Sequence, residues 1–139
     1  MRNLSCSQFK STIERILGAH GLLQEFESNP EFAVRIKNDP YLPLAIERHG
    51  SEVTVTHYVT QNGDMIPDPD MAFERMVDGS WYPVAIQFAT GAYRRAMEVR
   101  DGKRFINPRE VRDQISFSRM WAKNLIAQRF ISGQAERIS

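Results

Sequence analysis

The sequence predicts an α+β fold: an antiparallel sheet of four to six strands, with an N-terminal helix and a long C-terminal helix packed on one face. Three observations predict it. Between residues 32 and 88, apolar and polar residues alternate with period two, interrupted by Asn38-Asp39-Pro40, Gly50-Ser51, Asn62-Gly63 and Asp78-Gly79. From residue 108 the apolar spacing becomes helical, behind a cap signal. A chain of 139 residues, 42% hydrophobic and 25% charged, carries one ordinary core. The expected organisation is a single domain over 1–139, with a helical addition at 1–30, an α+β core at 32–131 and a fraying tail at 132–139.

Ser7 is a plausible cap for a first helix over residues 8–17, where Phe9, Ile13, Ile16 and Leu17 form one stripe. Gly18 and Gly21 stop it, and residues 22–27 allow a further helical turn before Asn29-Pro30. Phe32, Val34 and Ile36 alternate as a strand, as do Leu42, Leu44 and Ile46. The clearest strand is Glu52 to Thr60. Because a strand sends alternate side chains to opposite faces, His57 joins Val53, Val55 and Val59 on the buried side, and Tyr58 joins the threonines. Met71 to Met76 forms a fourth strand. Trp81 to Phe88 forms a fifth, with Tyr82, Val84, Ile86 and Phe88 on one side; Pro83 within it favours an edge position or a bulge. Residues 92–100 fit a strand or a helix, with strand preferred, and Asp101-Gly102-Lys103 turns the chain. Asn107-Pro108-Arg109-Glu110 then combines an N-cap, a proline at the first helical position and a glutamate at the third. The helix it opens runs to about Phe130, and Gly133 ends it.

Net charge is +1, but the charge is unevenly distributed. Residues 1–91 hold seven Lys/Arg against twelve Asp/Glu, and residues 92–139 hold eleven against five. Such asymmetry marks either a partner surface or an acidic sheet beside a basic helix. The single cysteine, Cys6, excludes an intrachain disulfide and a thiolate-built zinc site. The N-terminus lacks the apolar core of a signal peptide, and no apolar run approaches the ~20 residues that cross a bilayer. A cytoplasmic protein is expected, with no membrane partner. There is no G-x-G-x-x-G and no P-loop, so no nucleotide cofactor is expected, nor any other.

Four blocks stand in order: P-Y-L-P-L-A-I-E at 40–47, H-Y-V-T-Q-N-G-D at 57–64, D-P-D-M-A-F-E at 68–74 and W-Y-P at 81–83. Together with W-x-x-N-L-x-x-Q-x-F at 121–130, they resemble an uncharacterised bacterial and phage domain family of unknown function, met on plasmids, prophages and other mobile elements. The resemblance covers residues 32–131. It implies an accessory protein of mobile DNA, a setting in which nucleic-acid handling and counter-defence binding are common, and it assigns no catalytic residue.

The densest chemistry lies between His57 and Glu74. Asp64, Asp68 and Asp70, with His57, could surround Mg²⁺ or Mn²⁺ and support phosphodiester cleavage by a small nuclease or hydrolase. Turn chemistry explains the same residues without a metal: Asn62-Gly63 supplies positive φ, the aspartates bond nearby N–H groups, and Pro67 and Pro69 stiffen the loop. The second reading is preferred, and no metal is expected. His57 reads as a satisfied core histidine, and no nucleophile–base pair is legible around it. The favoured function is a non-enzymatic module that recognises a protein partner, through Tyr58 and Trp81 as exposed aromatics with Asp64, Asp68 and Asp70 beside them, with a homodimer through a sheet edge as an option. The alternative is nucleic-acid binding by Arg109, Arg112, Arg119 and Lys123, which share one side of the last helix. No known nucleic-acid-binding signature accompanies them.

Overall fold

The structure is a computed structural model that describes residues 4–137. It opens with helix α1 (Ser7–Ala19) and a short helix α2 (Leu23–Ser28). Strands β1 (Glu31–Lys37), β2 (Leu44–His49), β3 (Glu52–Gln61), β4 (Asp64–Arg75) and β5 (Trp81–Gln87) follow. A short strand β6 (Tyr93–Arg95) leads into the hairpin β7 (Met97–Arg100) and β8 (Lys103–Ile106). Helix α3 (Pro108–Ala127), a 3₁₀ turn at Phe130–Ser132 and strand β9 (Gln134–Arg137) complete the chain.

Among the described residues, seven strands form one sheet in the order β6-β5-β4-β3-β2-β1-β9, and β7 and β8 form a second, two-stranded sheet. Every pairing is antiparallel. The α+β class is as expected, but the strand count exceeds four to six. One surplus strand lies where the tail was expected to fray: β9 pairs with β1 from Val34↔Arg137 to Lys37↔Gln134. Its ion pairs, Glu136 with Arg35 and Lys37 and Arg137 with Glu25, reinforce that pairing. Residues 138 and 139 of the expected tail lie outside the described residues.

Both long helices cover the same sheet face. The core holds Phe9, Ile13, Ile16 and Leu17 of α1, Val53 and Val55 of β3, Met71 and Phe73 of β4, and Trp121 and Leu125 of α3. Phe9 stacks on Phe73 at 5.2 Å and meets Trp121 at 5.1 Å, so one α1 ring joins sheet to α3. The N-terminal helix is therefore part of the core, not an addition to it. Its apolar stripe has no other surface on which to be buried. The helix begins without a side-chain cap: Cys6 occupies the cap position, and its N–H donates to the Trp81 carbonyl at 2.8 Å. At α3 the expected cap forms, with the Asn107 side chain accepting from the Glu110 N–H at 3.1 Å.

Two irregularities decide where side chains point. In β5, Ala72 pairs with Ala85 but Phe73 pairs with Pro83, leaving Val84 as the extra residue of a bulge. The expected bulge at Pro83 is thus present, and it reverses the parity on its N-terminal side. Trp81 and Pro83 consequently share the core face with Ile86. In the β3–β4 pair, Thr56 opposes Asp70 and Tyr58 opposes Pro67, so His57 faces two residues, Asp68 and Pro69.

Candidate functional site

The expected acidic loop is mostly strand. Only Asn62 (φ 53°) and Gly63 (φ 84°) turn the chain, a two-residue connection whose twist matches the flanking strands. Asp64 already pairs with Gln61. Strand β5 begins to pair with β4 only at Asp70, so residues 64–69 have a free edge on that side. Prolines 67 and 69 fit there because no ladder bond needs their missing N–H.

The structure separates the aspartates. Asp64 is exposed beside the hairpin tip. Asp68 accepts from the Ala89 N–H at 3.1 Å, which ties β4 to the loop after β5. Asp70 sits on the helix-free face beside Thr56, where burial raises its carboxyl pKa and leaves Oδ1 shielded without a hydrogen-bond partner. Among the described residues, no group of three or more His, Cys, Asp and Glu side chains is arranged to hold a metal.

His57 is 7% exposed, against Trp121 at 5.5 Å and Phe130 at 5.7 Å between ring centroids. Its Nδ1 lies 3.2 Å from the Pro43 carbonyl oxygen. Burial lowers its pKa, and Asp68 opposes that shift weakly. Cys6 is buried as well, and burial pushes its thiol up to about 11, which keeps it protonated at neutral pH. His20 bonds the Phe130 carbonyl oxygen and His49 bonds Glu31, both as fold contacts.

Of the five residues expected to meet a protein partner, Tyr58 and Asp70 lie on the helix-free face of the sheet. They form one group with Arg35, Glu47 and Thr56, and the Tyr58 phenol is pushed up by burial and then by the Glu47 and Asp70 charges. Asp64 and Asp68 stand apart from it. Trp81 corrects the expectation of exposure: it is 1% exposed, packed on Phe73 and Phe26. The cause is the bulge at Val84, which places Trp81 on the core side.

The basic residues of α3 are brought together. The helix buries Val111, Gln114, Ile115, Ser118, Trp121, Ala122 and Leu125, so Arg109, Arg112, Arg119 and Lys123 fall on its exposed side. At 1.5 Å per residue the row extends about 21 Å. Helix α1 adds Arg15, which lines a groove of about 400 Å³ between the two helices together with Thr12, Lys123 and Ile126. Arg15 could not be found from the sequence, because only the docking of α1 on α3 brings it to Lys123. Among the described residues, none of these five cations has a carboxylate within 4.0 Å. Lys10, Lys37, Arg75, Arg95, Arg100, Arg104 and Arg137 all do.

The three-strand end of the molecule carries a second cationic group. Arg95 and Arg100 both pair with Glu98, at 3.2 and 3.0 Å, and Arg104 pairs with both oxygens of Glu74. No helix is long and apolar enough to cross a membrane among the described residues.

Comparison with curated proteins and with solved structures finds no match. A family model described as a domain of unknown function (DUF6908) matches residues 11–131, from within α1 to the 3₁₀ turn after α3. The chain belongs to that family, whose matched span takes in α3 and all but the first four residues of α1.

Proposed function

We propose that the protein is a non-enzymatic module that holds nucleic acid by its phosphate backbone, on the outer surface of the α1–α3 layer. One observation carries this reading: five cations on that surface have no carboxylate within 4.0 Å among the described residues, while most other cations of the fold do. Glu110 and Asp113 lie along the same helix, yet neither comes within 4.0 Å of the four α3 cations. Unpaired guanidinium and ammonium groups spaced along about 21 Å instead suit a ligand with closely repeated negative charge. Phosphate contacts of this kind position a nucleic acid without reading its sequence. The resemblance to families of mobile DNA supports a setting among plasmid or phage DNA in the cytoplasm.

The test is charge reversal at constant fold. In fluorescence anisotropy with a labelled 20-base-pair duplex at 100 mM salt, Arg112→Glu/Arg119→Glu is expected to lower affinity at least tenfold. Lys37→Glu, an exposed change on β1, is expected to leave it within twofold. Equal losses in both variants, or no binding by the wild type at tens of micromolar, overturns the reading.

A second reading keeps the protein partner, now confined to the helix-free face. The polar group of Tyr58, Arg35, Glu47 and Asp70 on that face favours it. A partner docked on that group would protect the helix-free face from hydrogen exchange and leave the helices unprotected.

A further inference from the structure

We infer that the arm formed by β6, β7 and β8 is a stacking platform for the unpaired bases of a single strand, so that the nucleic acid held by the helix layer is single-stranded where it meets the arm. The inference rests on the phosphate-binding reading above.

The exposed large apolar residues are concentrated here. Tyr93, Val99, Phe105 and Ile106 are exposed within fourteen residues of chain, against Tyr41, Leu42, Met65, Val77 and Met120 over the rest of the described protein. Tyr93 and Phe105 carry the rings of this set, while Val99 and Ile106 alternate onto the other face of the hairpin. Its chemistry is also mixed in a particular way. The Arg100 guanidinium lies 4.0 Å from the Phe105 ring centroid, and that of Arg95 lies 5.6 Å from the Tyr93 ring. Arg95 also donates to the Tyr93 hydroxyl. Glu98, placed between the two arginines, forms an ion pair with both.

Strand alternation places Glu98, Arg100, Lys103 and Phe105 together on one face of the hairpin, since Glu98 pairs with Phe105 and Arg100 with Lys103. On the other face Met97 is buried and Arg104 clamps Glu74, while Val99 and Ile106 reach solvent. The outward face therefore carries the Phe105 ring and the Arg100 guanidinium, with Glu98 and Lys103 beside them. A nucleobase stacks on either kind of plane, and neither kind demands a particular base.

An open cleft of about 450 Å³ lies against this ladder, lined by Arg95, Met97, Glu98, Arg100, Phe105 and Asn107. That volume is within the range of small-molecule sites. Its last lining residue, Asn107, is the N-cap of α3, two residues before the first cation of the row. Charge complementarity points the same way: residues 93–112 carry seven Lys/Arg against three Asp/Glu. In a duplex the bases are already stacked on one another and cannot use such planes, whereas a single strand can offer both its phosphates and its bases.

The test uses the full chain and three labelled probes at 100 mM salt: a 20-nucleotide deoxythymidine strand, an abasic strand with the same phosphates, and a 20-base-pair duplex. The wild type is expected to bind the thymidine strand about tenfold more tightly than the abasic strand. Tyr93→Ala/Phe105→Ala is expected to erase that difference and to leave duplex affinity within twofold. Equal wild-type affinity for the thymidine and abasic strands overturns the inference even if the double variant fails to fold. So does a loss of duplex affinity in that variant matching its loss on the single strand, which would make the arm a ribbon for double-stranded DNA. In either case the helix-layer reading stands. If the wild type binds none of the three probes, both fall.

Discussion

His57 shows how one residue type changes meaning with its surroundings. A histidine among three aspartates suggests a catalytic base. In the structure it is a core ring wedged between β3, α3 and the 3₁₀ turn, and burial depresses its pKa below the usual ~6.5. A depressed pKa means the folded state resists a proton that the unfolded chain accepts. The stability this residue contributes is thus fully present above about pH 6.5 and is lost as the pH falls through that value toward the folded pKa. The melting temperature of the wild type is expected to drop further between pH 7 and pH 5 than that of His57→Gln. His57→Ala should cost about 1–3 kcal/mol at pH 7, through lost packing against Trp121 and Phe130. Asp70 has the opposite sign. Its raised pKa means that the charged carboxylate is disfavoured, so its penalty grows as the pH rises through the folded value. Asp70→Asn is expected to raise the melting temperature at pH 7 and to have little effect at pH 4.

Whether an element was legible in the sequence depended on whether its own residues carried the signal. Strands β1 to β5 and helix α3 were readable because each has a full apolar face and explicit stops. β9 was not. Gln134-Ala135-Glu136-Arg137 has one apolar residue, and its place comes from the free edge of β1 and from acids and bases far away in the chain. β8 was missed for a similar reason: Lys-Arg-Phe-Ile has no alternation of its own, and only its pairing with β7 makes it a strand. The orientation of Trp81 was misread because a one-residue bulge reverses parity without changing the pattern that suggested the strand. Two glycines test these elements. Gly63→Ala must hold φ near +84° and is expected to cost about 1 kcal/mol, read from urea melts. Gly133→Ala brings a methyl group to 2.6 Å from the Lys37 carbonyl oxygen, so β9 has to shift from β1. It is expected to cost about 1–3 kcal/mol and to speed amide exchange at residues 134–137.

At the scale of the molecule, the uneven charge along the chain becomes an uneven charge in space. Among the described residues, the sheet holds most of the ion-paired groups, with Glu47 and Asp70 on its helix-free face, and the helix layer holds five cations without an ion pair, Arg15, Arg109, Arg112, Arg119 and Lys123. The asymmetry was visible in the sequence. Its meaning was not, because a paired arginine and an unpaired one look alike until the neighbours are placed. Salt dependence measures that difference directly. Each phosphate contact releases condensed counterions and contributes about −0.9 to the slope of log K against log salt on duplex DNA. Titrating a labelled duplex between 50 and 250 mM salt is expected to give a slope of about −4, from four to five contacts, and about −2 for Arg112→Glu/Arg119→Glu. A slope near zero, or the same slope in both proteins, would contradict the assignment of the α1–α3 surface to the nucleic-acid backbone.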